Sequence, residues 1–198
     1  LPEAVINFLA LLGWNPGTDQ EILSMQQLIE LFDLQKCSKS GAKFDYMKGW
    51  WFNREYLLMK TDEQLAPSFV SILAQHNITA TTEQAAKVIG MMKQKVVEYT
   101  DGQSGQTKKR SVSFIRDLWP LCDFFFIAPT EFDQTDKFVR KNWKENSAQE
   151  MRQLADILKQ LPDFSVEAQK AVIDPWAEQT GIKPWNAWRI CLVGKGQG

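Results

Sequence analysis

The chain has 198 residues, 44% of them apolar and 24% charged, with a formal net charge of -1. That length holds one large or two small domains. Eight Trp and twelve Phe supply ample core, and the near-neutral balance excludes a protein that coats nucleic acid by bulk charge.

The three cysteines, Cys37, Cys122 and Cys191, are odd in number and widely spaced, which reads as reduced thiols rather than a disulfide framework. No run approaches the roughly 18 uninterrupted apolar residues of a membrane span, and none has the plan of a signal peptide. A soluble, cytoplasmic protein is expected, acting as a monomer.

From the start, Val5, Phe8, Leu9 and Leu12 share one helical stripe, and Ile6, Ala10 and Leu11 widen it nearly all the way round, the pattern of a buried helix. A buried helix at residue 1 points to a piece of a longer polypeptide. The cluster Gly13-Trp-Asn-Pro-Gly17 ends it. Four capping boxes follow: Ser24 with Gln27, Thr61 with Gln64, Thr81 with Gln84, and Ser147 with Glu150. Behind them run the apolar stripes Met25, Leu28, Ile29, Phe32; Leu65, Phe69, Ile72, Leu73; Ala85, Val88, Ile89, Met92; and Met151, Leu154, Leu158, Leu161. Pro67 marks a possible restart or kink. With no sustained strand alternation and no Asn-Gly hairpin signal, an all-α architecture is expected.

Two places read as joints. Residues 100–107 are polar and glycine-containing, an exposed loop or inserted segment. Near residue 128 the aromatic run Phe124 to Phe126, expected as core, gives way to a charged stretch. The expected units are residues 1–60, 61–128 and 129–198, with no internal repeat.

Catalytic equipment is missing from the sequence. The single histidine, His76, follows an apolar stripe and reads as a helix C-terminal or surface residue, since metal sites and activated nucleophiles need partners. No glycine-rich loop joins a strand to a helix, so no phosphate cradle is expected. Ser38-Lys-Ser40 matches the ATP-binding lysine-serine loop of class I synthetases only weakly, lacking its Met and first Lys.

In order along the chain, residues 1–16, Glu21-Ile-Leu-Ser24, Ser38-Lys-Ser-Gly-Ala-Lys-Phe-Asp45, Trp51-Phe-Asn-Arg-Glu-Tyr-Leu57 and Asn186-Ala-Trp-Arg-Ile-Cys-Leu-Val-Gly194 resemble the region that follows the catalytic core of bacterial glutamyl-tRNA synthetases. The likeness is close through residue 60, looser in the middle and clear again at the end. It implies a stem-contact unit at 1–60 followed by two helical anticodon-binding subdomains, the second truncated. It implies tRNA(Glu) as partner, no cofactor in this chain, and ATP and magnesium for the parent ligase. The chain alone is expected to be inactive. By the same resemblance Asn15, Ser38 and Lys48 fall where the family's stem-contact element touches the tRNA backbone, and Arg189 falls near the anticodon. These residue types suit the work: Lys and Arg neutralise phosphates, Ser and Asn bond phosphate or the 2′-hydroxyl, and Arg stacks on an unstacked base.

In the middle, Lys93, Lys95, Lys108, Lys109, Arg110 and Arg116 stand against only Glu98 and Asp101, an imbalance that steers a polyanion. In this region the family's anticodon-reading arginine falls on Lys95 or Arg110, depending on where the 100–107 segment is inserted. Arg110 is favoured because its planar fork bonds in pairs. Trp185 and Trp188, three apart beside Arg189, are expected in the core rather than stacked on a base. The competing reading is a helical protein-interaction module with a Trp-rich docking surface and no RNA role.

Overall fold

The computed structural model describes residues 1–102, 104–194 and 196, and the chain divides into two compact units, Leu1–Cys122 and Asp123–Gly198. In the first unit lie α1 (Pro2–Gly13), α2 (Met25–Leu31), α3 (Tyr46–Met59), α4 (Asp62–Gln75) and α5 (Thr82–Met92). They are followed by strands β1 (Val96–Thr100) and β2 (Thr107–Ser111) and the short α6 (Trp119–Cys122). The second unit holds α7 (Lys137–Asn142), α8 (Ser147–Leu158), α9 (Val166–Thr180) and α10 (Trp185–Val193).

Three of the capping boxes close as the sequence requires. Ser24, Thr61 and Thr81 each accept the amide of the residue three on, and the Gln there bonds back to the cap amide. The fourth does not form. α8 begins at Ser147 itself, whose hydroxyl instead accepts the Lys144 amide at 2.9 Å, because a tight turn precedes the helix. α4 runs through Pro67 and buries Leu65, Phe69 and Leu73; α5 buries Ala85, Val88, Ile89 and Met92, and the two helices pack together.

α1 is buried on one face only. Ala4, Asn7 and Phe8 are covered, Phe8 packing on Phe52 of α3, whereas Val5, Ile6 and Leu9 are 40–52% exposed, so the expected fully buried helix is corrected. On α2 only Leu28 is buried; Met25, Ile29 and Phe32 line an open apolar groove with Ile6, Ala10 and Trp14. Three residues unnoticed in the sequence tie this unit together. Asn7 Oδ1 accepts the Leu23 amide and the Tyr56 hydroxyl, each at 2.9 Å, and Tyr56 also reaches the Leu23 carbonyl. Asn53 of α3 donates to the Ser113 carbonyl and accepts from the amino group of Leu1.

The fold is helical apart from one antiparallel hairpin among the described residues, Val96 pairing with Ser111 and Thr100 with Thr107. Thr100 and Thr107 thus close a hairpin where the sequence read as a joint. Gly105, at a φ of 66° that favours glycine, donates to the Asp101 carbonyl at 2.7 Å. The strands escape pattern reading because Val97 alone is buried in β1 and β2 is mostly charged; the ladder and the Glu98–Lys109 pair across it hold them.

In the second unit Met151, Leu154, Leu158, Ile173, Trp176 and Ala187 form the core, with Trp188 half-buried against it. Gly181 and Gly194 end α9 and α10 at φ of 71° and 76°, the left-handed cap that a Cβ resists. Phe124 and Phe126 are half-buried and Phe125 is 44% exposed, so the aromatic run is not the solid core expected of it.

Candidate nucleic-acid interface

Two of the predicted positions meet at one bridge. Trp14 pairs with Cys37 and the Ser38 amide donates to the Gly13 carbonyl at 2.8 Å, which sets Asn15 and Ser38 on adjoining strands of chain. Asn15 folds its Oδ1 onto the Gly17 amide at 2.6 Å, and Ser38 shares a 2.9 Å bond with the Ser40 hydroxyl. Both residues are exposed. Lys48 projects from the first turn of α3, whose amides Asp45 caps; its ammonium is paired with Glu21. Both partners are more than 40% exposed, and an exposed pair of this kind is worth at most about 1 kcal/mol, so a phosphate can displace Glu21.

The basic stretch of the middle is largely neutralised in the fold. Lys93 meets Asp62 at 2.7 Å, Lys109 meets Glu98 at 3.3 Å, and Lys108 meets Asp101, which pushes the Lys108 ammonium's pKa up by hydrogen bonding and charge. Arg110 bonds both Asp117 oxygens, at 2.6 and 2.8 Å, and its guanidinium lies over the rings of Trp50, Phe114 and Tyr99 at 4.9, 5.4 and 5.6 Å. Asp117 also takes the amides of Ser113 and Phe114. Lys95 and Arg116 are left without an ion pair among the described residues, Arg116 resting over Phe114. Lys95 stands exposed at the bend into β1, its carbonyl held by the Val112 amide. The structure therefore separates the two candidates for base reading: one is clamped, the other is in solvent.

In the second unit Arg189 is exposed on α10, one turn beyond Trp185. Trp185 is 49% exposed and stacked in parallel on Trp188, with centroids 6.1 Å apart, so it is not the core residue expected of it. His76 is the exposed C-cap of α4 with its ring on Trp119. Among the described residues no cluster of His, Cys, Asp and Glu could hold a metal ion, and no helix is long and apolar enough to cross a membrane.

Exposed cations and aromatic rings carried on helices, such as Arg189 and Trp185, are side chains that can meet nucleic acid. The chain belongs to the anticodon binding domain family, whose model matches residues 64–198, and the class I tRNA synthetase (E and Q) catalytic domain model matches residues 1–51. Over its whole length it is 49% identical to the glutamate–tRNA ligase of Bacteroides fragilis and 50% identical to that of Phocaeicola vulgatus, and it spans 36% of the length of each. A crystal structure of a glutamate tRNA ligase from Elizabethkingia meningosepticum, in complex with its amino acid, superposes on the whole chain at a TM-score of 0.76 and 36% identity, using 36% of that chain.

Proposed function

We propose that this chain is the tRNA-handling part of a glutamate–tRNA ligase, one that binds tRNA(Glu), positions it and reads its anticodon. Attachment of glutamate with ATP and magnesium would belong to the complete polypeptide, working in the cytoplasm as a monomer. The match of residues 64–198 to the anticodon binding domain family, at about half identity to two such ligases over the whole chain, carries this reading. Along the chain, residues 1–60 would grip the inner stem through Asn15, Ser38 and Lys48, while 61–128 and 129–198 would splay the anticodon bases so that their edges can be read. The anticodon-reading position would act at the third anticodon base, where glutamate and glutamine tRNAs differ by cytosine against guanine; of its two candidates, the clamp on Arg110 favours Lys95 for direct contact and gives Arg110 the task of holding the hairpin that adjoins it.

Binding of a tRNA(Glu) transcript by this chain, followed across salt concentrations, tests the reading. Counterion release predicts a log-log slope of several units. Glutamate-dependent pyrophosphate exchange by the chain alone should stay at background, and exchange above it would refute the division of labour. The open apolar groove between α1 and α2 favours a second reading, a helical protein-interaction module. Absence of salt-dependent tRNA binding would select it.

A further inference from the structure

Trp185 presents a half-exposed indole on the surface of the second unit. The Trp188 ring lies parallel to it, offset, at an interplanar angle of 4°, a neighbour that holds the indole in one orientation. The Asn186 amide donates to Asn142 Oδ1 at 2.9 Å, which ties the first turn of α10 to the last turn of α7. That last turn carries Arg140 and Lys141, and Arg189 lies on the same face of α10 as Trp185, four residues on. All three cations are exposed, and none makes an ion pair among the described residues.

An aromatic face pre-ordered by its neighbour and flanked by unpaired cations is chemistry for a flat, apolar-faced group carried on a polyanion. We propose that Trp185 is the stacking surface for one unpaired base of the anticodon loop, with Arg140 and Lys141 holding the phosphates beside it and Arg189, one turn on, facing the edge of that base. This rests on the RNA-binding reading above and adds to it a residue and a mode of contact. A protein partner would have to set acidic side chains against all three cations as well as an apolar group on the indole, which a nucleotide's base and phosphates do together. If Trp185 served only to cover Trp188, leucine would do as well.

The complete polypeptide, wild type and with Trp185→Leu, Trp185→Ala or Trp185→Phe, is titrated with tRNA(Glu) and with three transcripts that each lack one anticodon base. Stacking predicts that Leu and Ala weaken the intact tRNA by about 5- to 150-fold, the range expected for removal of one base stack, while Phe stays within a few fold. On the transcript that lacks the stacked base, wild type falls to the level of the Leu variant, and the substitution costs nothing further. Leu equal to wild type on intact tRNA overturns the proposal and leaves the face to a protein partner. So does a Leu loss of the same size on all four RNAs. Wild type that binds tRNA(Glu) no better than heparin overturns the RNA reading itself, and with it this inference. Unchanged circular dichroism of the Leu variant separates lost stacking from lost folding.

Discussion

Arg110 and Asp117 face each other through two parallel bonds, 2.6 and 2.8 Å long, with 13% and 7% of their side chains exposed. The pair holds β2 to the turn at 113–117, since the same carboxylate takes the Ser113 and Phe114 amides. Trp50 of α3 covers the guanidinium and Asn53 bonds the Ser113 carbonyl, so the first helices and the hairpin are joined at this point. Breaking a buried pair from one side leaves the other charge without compensation. Asp117→Asn is expected to lower the unfolding free energy by about 3 to 5 kcal/mol, read as a fall in the urea midpoint at constant m-value. A loss below about 1 kcal/mol would show that the guanidinium finds water instead.

The clamp bears directly on base selection. A side chain whose charge is spent inside the protein must first leave its partner to reach RNA, whereas Lys95 needs no such step. Lys95→Gln is therefore expected to erase a preference for cytosine over guanine at the third anticodon position, a difference of about 1 to 3 kcal/mol by analogy with DNA base readout. Arg110→Gln is expected to lower stability and weaken both tRNAs together. Competition binding with two transcripts differing at that base decides it, and a preference lost only in the Arg110 variant would return the reading role to arginine.

What the sequence disclosed and what it withheld follow from the range of the interactions. The caps at Ser24, Thr61 and Thr81 and the stripes of α4, α5 and α8 are local, set by neighbours three and four residues away, and they were legible. The hairpin was not, because its cohesion lies in the ladder and cross-strand charge rather than in apolar alternation. Nor were the pairs Lys93–Asp62 and Arg110–Asp117, which cut the excess of an apparent cationic cluster to the charges of Lys95 and Arg116. A count along the chain cannot see a partner brought in by folding. Asn15 and Ser38 were singled out by family resemblance, and only the bridge between Trp14 and Cys37 explains why such distant positions adjoin.

The cap geometry separates two kinds of serine and threonine. Thr61→Ala and Thr81→Ala each remove a side-chain acceptor at the start of a long helix, and each is expected to cost about 1 kcal/mol. Ser147 is buried at 3% exposure and bonds the Lys144 amide. Ser147→Ala is expected to strand that donor at a comparable or larger cost, and Ser147→Thr to fall short of full rescue because its extra methyl must be accommodated at a buried position. Thermal melts of these variants test this, and full rescue by Thr would place the hydroxyl in looser surroundings than the structure gives it.

Lys48 and Arg189 should separate backbone grip from base recognition. On the proposed reading Lys48, on an exposed helix turn beside Glu21, grips a phosphate, and Lys48→Ala is expected to weaken cognate and non-cognate tRNA alike. The salt slope should fall by about one unit, as it does when one phosphate is no longer neutralised. Glu21→Gln removes the competitor and is expected to tighten both tRNAs slightly, by a factor that shrinks as salt rises. Arg189 sits one helical turn from the exposed indole of Trp185, within a stretch matched to the anticodon binding domain. A guanidinium can bond either a phosphate or a base edge, and the two contacts differ in selectivity. Arg189→Ala is expected to cost the cognate tRNA several-fold more than a non-cognate one. Equal losses would assign Arg189 to phosphate alone, leaving Trp185 as the part of that face that meets a base.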